Sequence, residues 1–412
     1  MHADTSPPSP VEPGRRIEAV DMVRGFALFG VLLVNMYNFG AGWPIWTGPA
    51  DRIAAGVMRF FFETKSWRLF SFLFGLGFAF QLLSARRREL PLLGRYLRRL
   101  GSLFVIGALH ALLYDGDILM LYAELGLLLV LFVRVPPRVL LVLAIGLLAV
   151  FPVGNAVQSF GGGRGPADAE EQVDWLARRA ELMSEHPYSV GSVREVMAFN
   201  AQAIPPVLLD DPLGPESNLG FFAMFLLGLY AGLRGIFRDL EGNLTLIRRV
   251  RTWGLGLGFL GMGVERSLAA GWGYDLFGAR GAHPGVELLG DAAFAYGSTA
   301  LSLGYAAAVL LLARSPRWRR LVAPLGPVGR MALTVYLSQS LVFTTLFYGY
   351  GFGLALQVGP LAVSVMAVVI FVVQIVACGW WLERYRFGPA EWAWRAVTYL
   401  RAPPMRPVPD RA

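Results

Sequence analysis

The sequence predicts an all-α polytopic membrane protein of about ten transmembrane helices, with its N-terminus and C-terminus both cytoplasmic. Three observations predict it. Of 412 residues, 55% are hydrophobic and only 16% are charged, where a soluble domain carries roughly a quarter; the mean hydropathy is +0.51. Apolar runs of about 17–25 residues, the length of a spanning helix, recur from one end of the chain to the other. Every second loop between those runs is strongly basic, as the positive-inside rule requires for an even number of spans. The runs do not alternate with period two, which excludes a membrane β-barrel.

Taken in order, residues 1–20 read as a disordered cytoplasmic tail. It is polar and proline-rich, and too acidic and too long before the first apolar run to be a usual signal peptide. A single transmembrane domain follows over residues 21–400, and residues 401–412 form a second disordered tail. The expected spans are Met22–Gly40, Trp67–Leu83, Leu97–Tyr114, Ile118–Val133, Val139–Phe160, Leu219–Ile236, Thr252–Ala270, Leu288–Ala313, Val328–Phe347 and Pro360–Trp381. A polar extracytoplasmic excursion, residues 161–218, separates the fifth and sixth spans. It is long enough to cap a cavity, and Val173–Met183 has the spacing of a surface helix. Its Gly161–Gly165 stretch reads as a flexible connector. An interfacial helix, residues 382–400, closes the fold, with Trp392, Trp394 and Tyr399 as membrane-interface anchors.

The charges fit this frame. Lys65 is the sole lysine; arginine supplies the remaining positive charge and the net charge is +8. Arg86, Arg87, Arg88, Arg95, Arg98 and Arg99 cluster between spans two and three, and Arg314, Arg317, Arg319 and Arg320 between spans eight and nine. Cytoplasmic loops account for the positive charge, so nucleic acid is not an expected partner; the lipid bilayer is. Cys378, the sole cysteine, lies inside an apolar run, so no disulfide forms within the chain and no thiolate metal site is available. The histidines, His2, His110, His186 and His283, are too scattered for a metal site.

The polar residues inside the apolar runs are the candidates for function, because ionisable groups in lipid are costly and tend to face a bundle interior or a watery cavity. Spans three and four form a hairpin around Tyr114-Asp115-Gly116-Asp117, with His110 one turn before the bend and Tyr122 and Glu124 one to two turns after it. Orientation by charge puts His110 and Asp117 at the outer face, where the surrounding spans are expected to enclose a polar chamber opening to the exterior. Against this stands a plainer reading, in which the aspartates are solvated turn residues and His110 bonds a backbone carbonyl. Span one carries Asp21, Arg24, Asn35 and Asn38, spaced by three, eleven and three, so all project from one helical face. Asp21 and Arg24 are spaced to pair. Arg24 is either part of a structural ion pair or, near the inner mouth with Arg330, a holder of an anionic ligand. Asn35 and, in span nine, Gln339 are candidate substrate-binding residues or interhelical glue. Arg68, against the charge bias near the outer end, either snorkels or pairs with Glu63 or Asp117.

Four stretches resemble the YeiB family of bacterial membrane proteins, whose C-terminal part is a domain of unknown function. They are RIEAVDMVRGFALFGVLLVNM (Arg16–Met36), WRLFSFLFGLGFAF (Trp67–Phe80), GALHALLYDGDILMLYAELG (Gly107–Gly126), and GRMALTVYLSQSLVFTTLFYGYGFGL (Gly329–Leu354) followed by RFGPAEWAWR (Arg386–Arg395). The pattern Asp-x-x-Arg-Gly at Asp21–Gly25 also resembles that of membrane acyltransferases, which use cytosolic acyl-CoA and an acceptor on the other side, typically with a catalytic histidine. That resemblance implies acyl-CoA as co-substrate, an envelope sugar or lipid as acceptor, and the bacterial cytoplasmic (inner) membrane as location. It also implies Arg24 near the donor and His110 as general base, which Asp117 would orient and Tyr122 assist. No metal is implied. The alternative is a multi-pass transporter or export factor for a small metabolite, in which the polar stripes of spans one and nine line a path and His110–Asp117 relays protons. The absence of an evident internal repeat weighs against the common transporter folds.

Overall fold

The computed structural model describes residues 18–41, 46, 48–89, 93–160, 175–202, 218–268 and 284–407. His2, His283 and the Gly161–Gly165 connector lie outside the described residues. Each of the ten expected spans coincides with a helical segment. These are α1 (Glu18–Gly40), α3 (Lys65–Arg87), α4 (Leu93–Ala111), α5 (Leu119–Leu128, prolonged by a 3-10 turn to Phe132), α6 (Pro137–Phe160), α10 (Asn218–Leu233), α11 (Leu244–Leu268), α12 (Pro284–Arg314), α14 and α15 (Leu325–Arg330 and Ala332–Phe347), and α16 (Pro360–Arg384). The remaining helices are α2 (Pro49–Phe61), α7 (Trp175–Glu185), α8 (Pro187–Val190), α9 (Val193–Gln202), α13 (Arg319–Val322) and α17 (Pro389–Tyr399). By length and composition, five stretches can cross a membrane: Glu18–Gly40, Pro49–Arg87, Pro137–Val157, Gly285–Arg314 and Pro360–Arg384. Leu119–Phe132, Asn218–Leu233 and Ala332–Phe347 are shorter apolar helices.

Helix α1 is the hub. It packs on α14, α16, α3, α12 and α15, while α10 fits between α3 and α6, and α11 lies along α12. This central place explains why α1 is buried almost all round, and why its sequence carries little amphipathic pattern. The basic ends gather at one end of the bundle. Arg319 meets Glu18, Arg86 donates to the Val133 carbonyl at 2.7 Å, Arg98 donates to the Thr398 carbonyl at 3.1 Å, and Arg314 meets Glu241. The antiparallel alternation read from the charges is therefore present in the packing.

Three boundaries differ from the sequence reading. Helix α2 lies in what reads as an outer loop. Its charges, Asp51, Arg52 and Arg59, mask a one-sided apolar pattern, and Asp51 accepts from the Leu361 N–H at 3.0 Å to fix it to the start of α16. Glu18–Val20 belong to α1 and not to a tail. Residues 401–407 fold back: Trp392 Nε1 donates to the Pro403 carbonyl at 2.8 Å and the Arg386 N–H to that of Met405 at 2.9 Å. The indole N–H of Trp392 needs an acceptor, and the chain after α17 supplies it.

The excursion forms a cap at the opposite end. Tyr188 stacks on Tyr348 with ring centroids 4.6 Å apart and donates its hydroxyl to Asn200 at 2.6 Å. Asn200, itself buried, donates to the Leu112 carbonyl at 3.0 Å, and the Gly349 N–H donates to the Tyr188 carbonyl at 2.7 Å. These bonds tie α8 and α9 across the ends of α4 and α15.

Candidate functional site

A cavity of about 230 Å³ lies between α1, α3, α4, α5, α15 and α17. Its position along each helix follows from a rise of about 1.5 Å per residue. At the basic end its walls carry Arg24, Arg99, Arg330, Arg395, Gln81 and Glu391; farther along the same helices they are Leu28, Leu103, Phe70, Phe74, Tyr122 and Tyr336. The cavity is thus cationic at one end and apolar and aromatic towards the middle of the bundle.

The polar end is built by close backbone contact. Arg24 pairs with Asp21 at 2.8 Å and reaches the Gly329 carbonyl at 3.3 Å. A Cβ at Gly25 would run into the Leu325 carbonyl oxygen, and one at Gly329 into that of Asp21. The glycine of the Asp-x-x-Arg-Gly pattern therefore serves the α1–α14 approach, which brings Arg24 and Arg330 to the same wall. Helix α17 closes the far side. Glu391 accepts from the N–H groups of Leu333 and Thr334 at 2.6 and 3.1 Å and from the Thr334 hydroxyl at 2.6 Å, capping the start of α15 from another helix. Trp394 donates to the Arg99 carbonyl at 2.9 Å, and the Arg99 guanidinium lies 3.9 Å from the centre of the Trp394 ring. Trp394 is a wall of the cavity, beyond the interface anchor the sequence suggests.

The histidine site is elsewhere. His110 Nδ1 and Asp117 lie 2.7 Å apart, as the hairpin reading expects, and both side chains are buried. The second Asp117 oxygen accepts from the Met120 N–H at 2.9 Å, which caps α5. A carboxylate accepts, so Nδ1–H is the donor in this bond, and Nε2 is buried with no hydrogen-bond partner. The expected chamber beside this ring is not what surrounds it. His110 packs against Tyr114 and Tyr336, with ring centroids 5.6 and 5.1 Å away, beneath Phe343 and the tyrosine cap. It does not line the cavity; Tyr336 does, and touches both.

Tyr122 is not brought to His110. Its hydroxyl donates to the Trp67 carbonyl at 3.1 Å and lies 2.9 Å from the Ser71 hydroxyl. The reason is register: Asp117 precedes α5, whereas Tyr122 projects from it towards α3 and so lines the cavity. Asn35 is buried but is not a cavity wall. Gln339 donates to Gln374 of α16 at 3.0 Å, and Gln374 donates to Ser338 at 3.0 Å, an arrangement that joins two helices. Arg68 turns into the bundle, donating to the Thr299 hydroxyl at 2.8 Å. Arg99, Arg395, Gln81 and Glu391 are cavity residues the sequence reading missed. Arg99 and Arg395 fall among the basic residues that the positive-inside rule already explains, so nothing in the sequence sets them apart.

A polytopic helical bundle enclosing one-sided cationic space is the class that fold and cavity define. Comparison with known proteins gives the family. Residues 231–401 match the family model described as "Protein of unknown function (DUF418)". The chain is 32% identical to "Uncharacterized protein YxaH" of Bacillus subtilis, over 96% of this chain and 97% of that protein. It is 30% identical to "Uncharacterized protein YeiB" of Escherichia coli, over 93% and 97%. It is 28% identical to an "Uncharacterized 39.9 kDa protein in amylase 3'region" of Bacillus acidopullulyticus, over 96% and 97%. The chain belongs to the YeiB family.

Proposed function

We propose that this protein is a membrane-embedded acyltransferase of the bacterial cytoplasmic membrane, taking an acyl group from cytosolic acyl-CoA to an extracytoplasmic sugar or lipid. The observation that supports this reading is the cavity: four arginines and one glutamate at its basic end, aromatic and aliphatic walls beyond. Arginine clusters suit phosphates, which they hold by charge-assisted bonds, and the apolar portion suits an acyl chain. In this reading the basic end faces the cytosol, Arg24 and Arg330 hold the donor's phosphates, and the thioester lies towards Tyr336.

The chemistry assigned to His110 is base catalysis at Nε2. Nε2 takes the proton of an acceptor hydroxyl, the oxygen attacks the thioester carbonyl, the carbon–sulfur bond breaks, and the proton passes to the leaving thiolate. The products are an ester and free CoA. Asp117 holds the tautomer, and Tyr336 must shift for donor and base to meet.

The test is mass spectrometry of envelope sugars and lipids from cells expressing wild type or His110→Ala, together with acetyl-CoA binding to the purified protein. The expected result is an acylated product lost in the variant, and binding weakened at least ~10-fold by Arg330→Ala. Identical envelopes in the two strains would sink the reading. Uptake of a metabolite by reconstituted vesicles, driven by a pH gradient, would point to transport instead.

A further inference from the structure

Helix α3 presents Trp67, Phe70, Phe74, Gly77 and Gln81 to the cavity, spaced by three, four, three and four, so they form one stripe along one face. Four of these side chains are large. Gly77 interrupts them one turn above Gln81, whose side chain donates to the Gly77 carbonyl at 3.2 Å. It therefore stands at the step between the polar end and the apolar walls.

Packing does not explain this glycine. Two residues earlier, Gly75 is required, because a Cβ there would strike the Phe225 carbonyl of α10. At Gly77 a Cβ would meet nothing within 4 Å. Glycine weakens a helix interior relative to alanine, so an unforced glycine in α3 costs stability with no contact to compensate. Other open glycines, such as Gly101, Gly146 and Gly256, lie away from the cavity walls. What Gly77 preserves is free volume next to the arginines. That volume is limited: about 230 Å³ is below the roughly 300–1,000 Å³ of drug-sized pockets. A two-chain lipid does not match it; a single short chain does.

We infer that the cavity takes an amphiphile with a phosphate-bearing head and one short apolar chain, and that Gly77 is the specificity-determining residue that sets the chain length it accepts. This rests on the donor site proposed above. The chain passes Gly77 with its head among Arg24, Arg99, Arg330 and Arg395, and its tail lies between Phe74, Phe70 and Leu28.

The experiment is a binding series on full-length protein in nanodiscs with acetyl-, butyryl-, hexanoyl-, dodecanoyl- and palmitoyl-CoA. A parallel series of n-alkyl phosphates separates a nucleotide head from phosphate alone. Wild type is expected to gain about fourfold in affinity per methylene buried, up to a short limiting length, and then to gain nothing. Gly77→Leu is expected to move that limit to a shorter chain and to weaken hexanoyl-CoA by about tenfold or more relative to acetyl-CoA. Gly101→Leu, on an exposed face of α4, is expected to match wild type, and an unchanged melting temperature reports that Gly77→Leu has folded. An unchanged length preference in Gly77→Leu overturns the role of Gly77 while leaving the donor site standing. No binding of either series to wild type overturns the donor site itself.

Discussion

The basic cavity and the His110–Asp117 pair use similar materials to opposite ends. Both put charged groups beside aromatic rings inside the same bundle. At the cavity, Arg24, Arg99, Arg330 and Arg395 stand around space. At the pair, Asp117 spends one oxygen on the imidazole and the other on the start of α5, and Tyr114, Tyr336 and Phe343 fill the surroundings. Burial of an ionisable group is therefore not enough to mark a binding site. Enclosed volume beside it is the discriminating feature, and the cavity has it where the pair does not. Tyr336 packs on His110 and lines the cavity, and so stands between the two.

Mutations can sharpen or break this contrast. The largest loss of stability is expected at the packed pair. Asp117→Ala leaves the His110 Nδ1 and the Met120 N–H without their shared acceptor, and should cost ~3 kcal/mol, read as a fall in the melting temperature of the detergent-solubilised protein. His110→Gln should cost less and abolish acyl transfer. A variant that keeps full transfer would reduce the pair to a hairpin fastener. Glu391→Ala comes next, because it removes three hydrogen bonds that hold α17 against α15. A cost of ~2 kcal/mol is expected, with faster tryptic cleavage at Arg395 and Arg401; an unaltered cleavage pattern would show that Glu391 is not what holds the helix.

Tyr122→Phe should cost ~1 kcal/mol through its bonds to Ser71 and Trp67. It should leave the pH profile of transfer unmoved, whereas a displaced profile would return Tyr122 to the chemistry. The smallest effect is expected in the cap. Glu195 accepts from the Ser192 N–H at 2.7 Å and from its hydroxyl at 2.8 Å, and these bonds hold its carboxyl below the usual range. A depressed carboxyl stabilises above its unfolded value and loses that contribution as the pH falls towards its folded one. Amide exchange in α9 should therefore accelerate modestly below about pH 4.5; Ser192→Ala, which keeps the backbone N–H donor, should lessen the dependence, and Glu195→Gln should remove it.

The ten spans, the Asp21–Arg24 pair and the His110–Asp117 bond were legible because each depends on spacing along one chain. An apolar run, a three-residue step or a short hairpin fixes its own geometry. The cavity was legible in part. Arg24 and Arg330 were expected near an anion, but Arg99 and Arg395 look like any cytoplasmic arginine until α4 and α17 are seen to meet. Tyr122 was misplaced because the turn of α5 relative to Asp117 is set by packing on α3. Gln339 is polar towards the helix beside it, and nothing in a single sequence separates that use from contact with a ligand.

Helix α17 comes after every other wall of the cavity in the chain, yet it contributes Glu391, Trp394 and Arg395 to it. During synthesis, this wall is the last to be translated. The pocket is finished only when the ribosome has passed the codon for Arg395. A message cut short at residue 388 would thus yield a chain without Glu391, Trp394 and Arg395, and with the chamber open on that side.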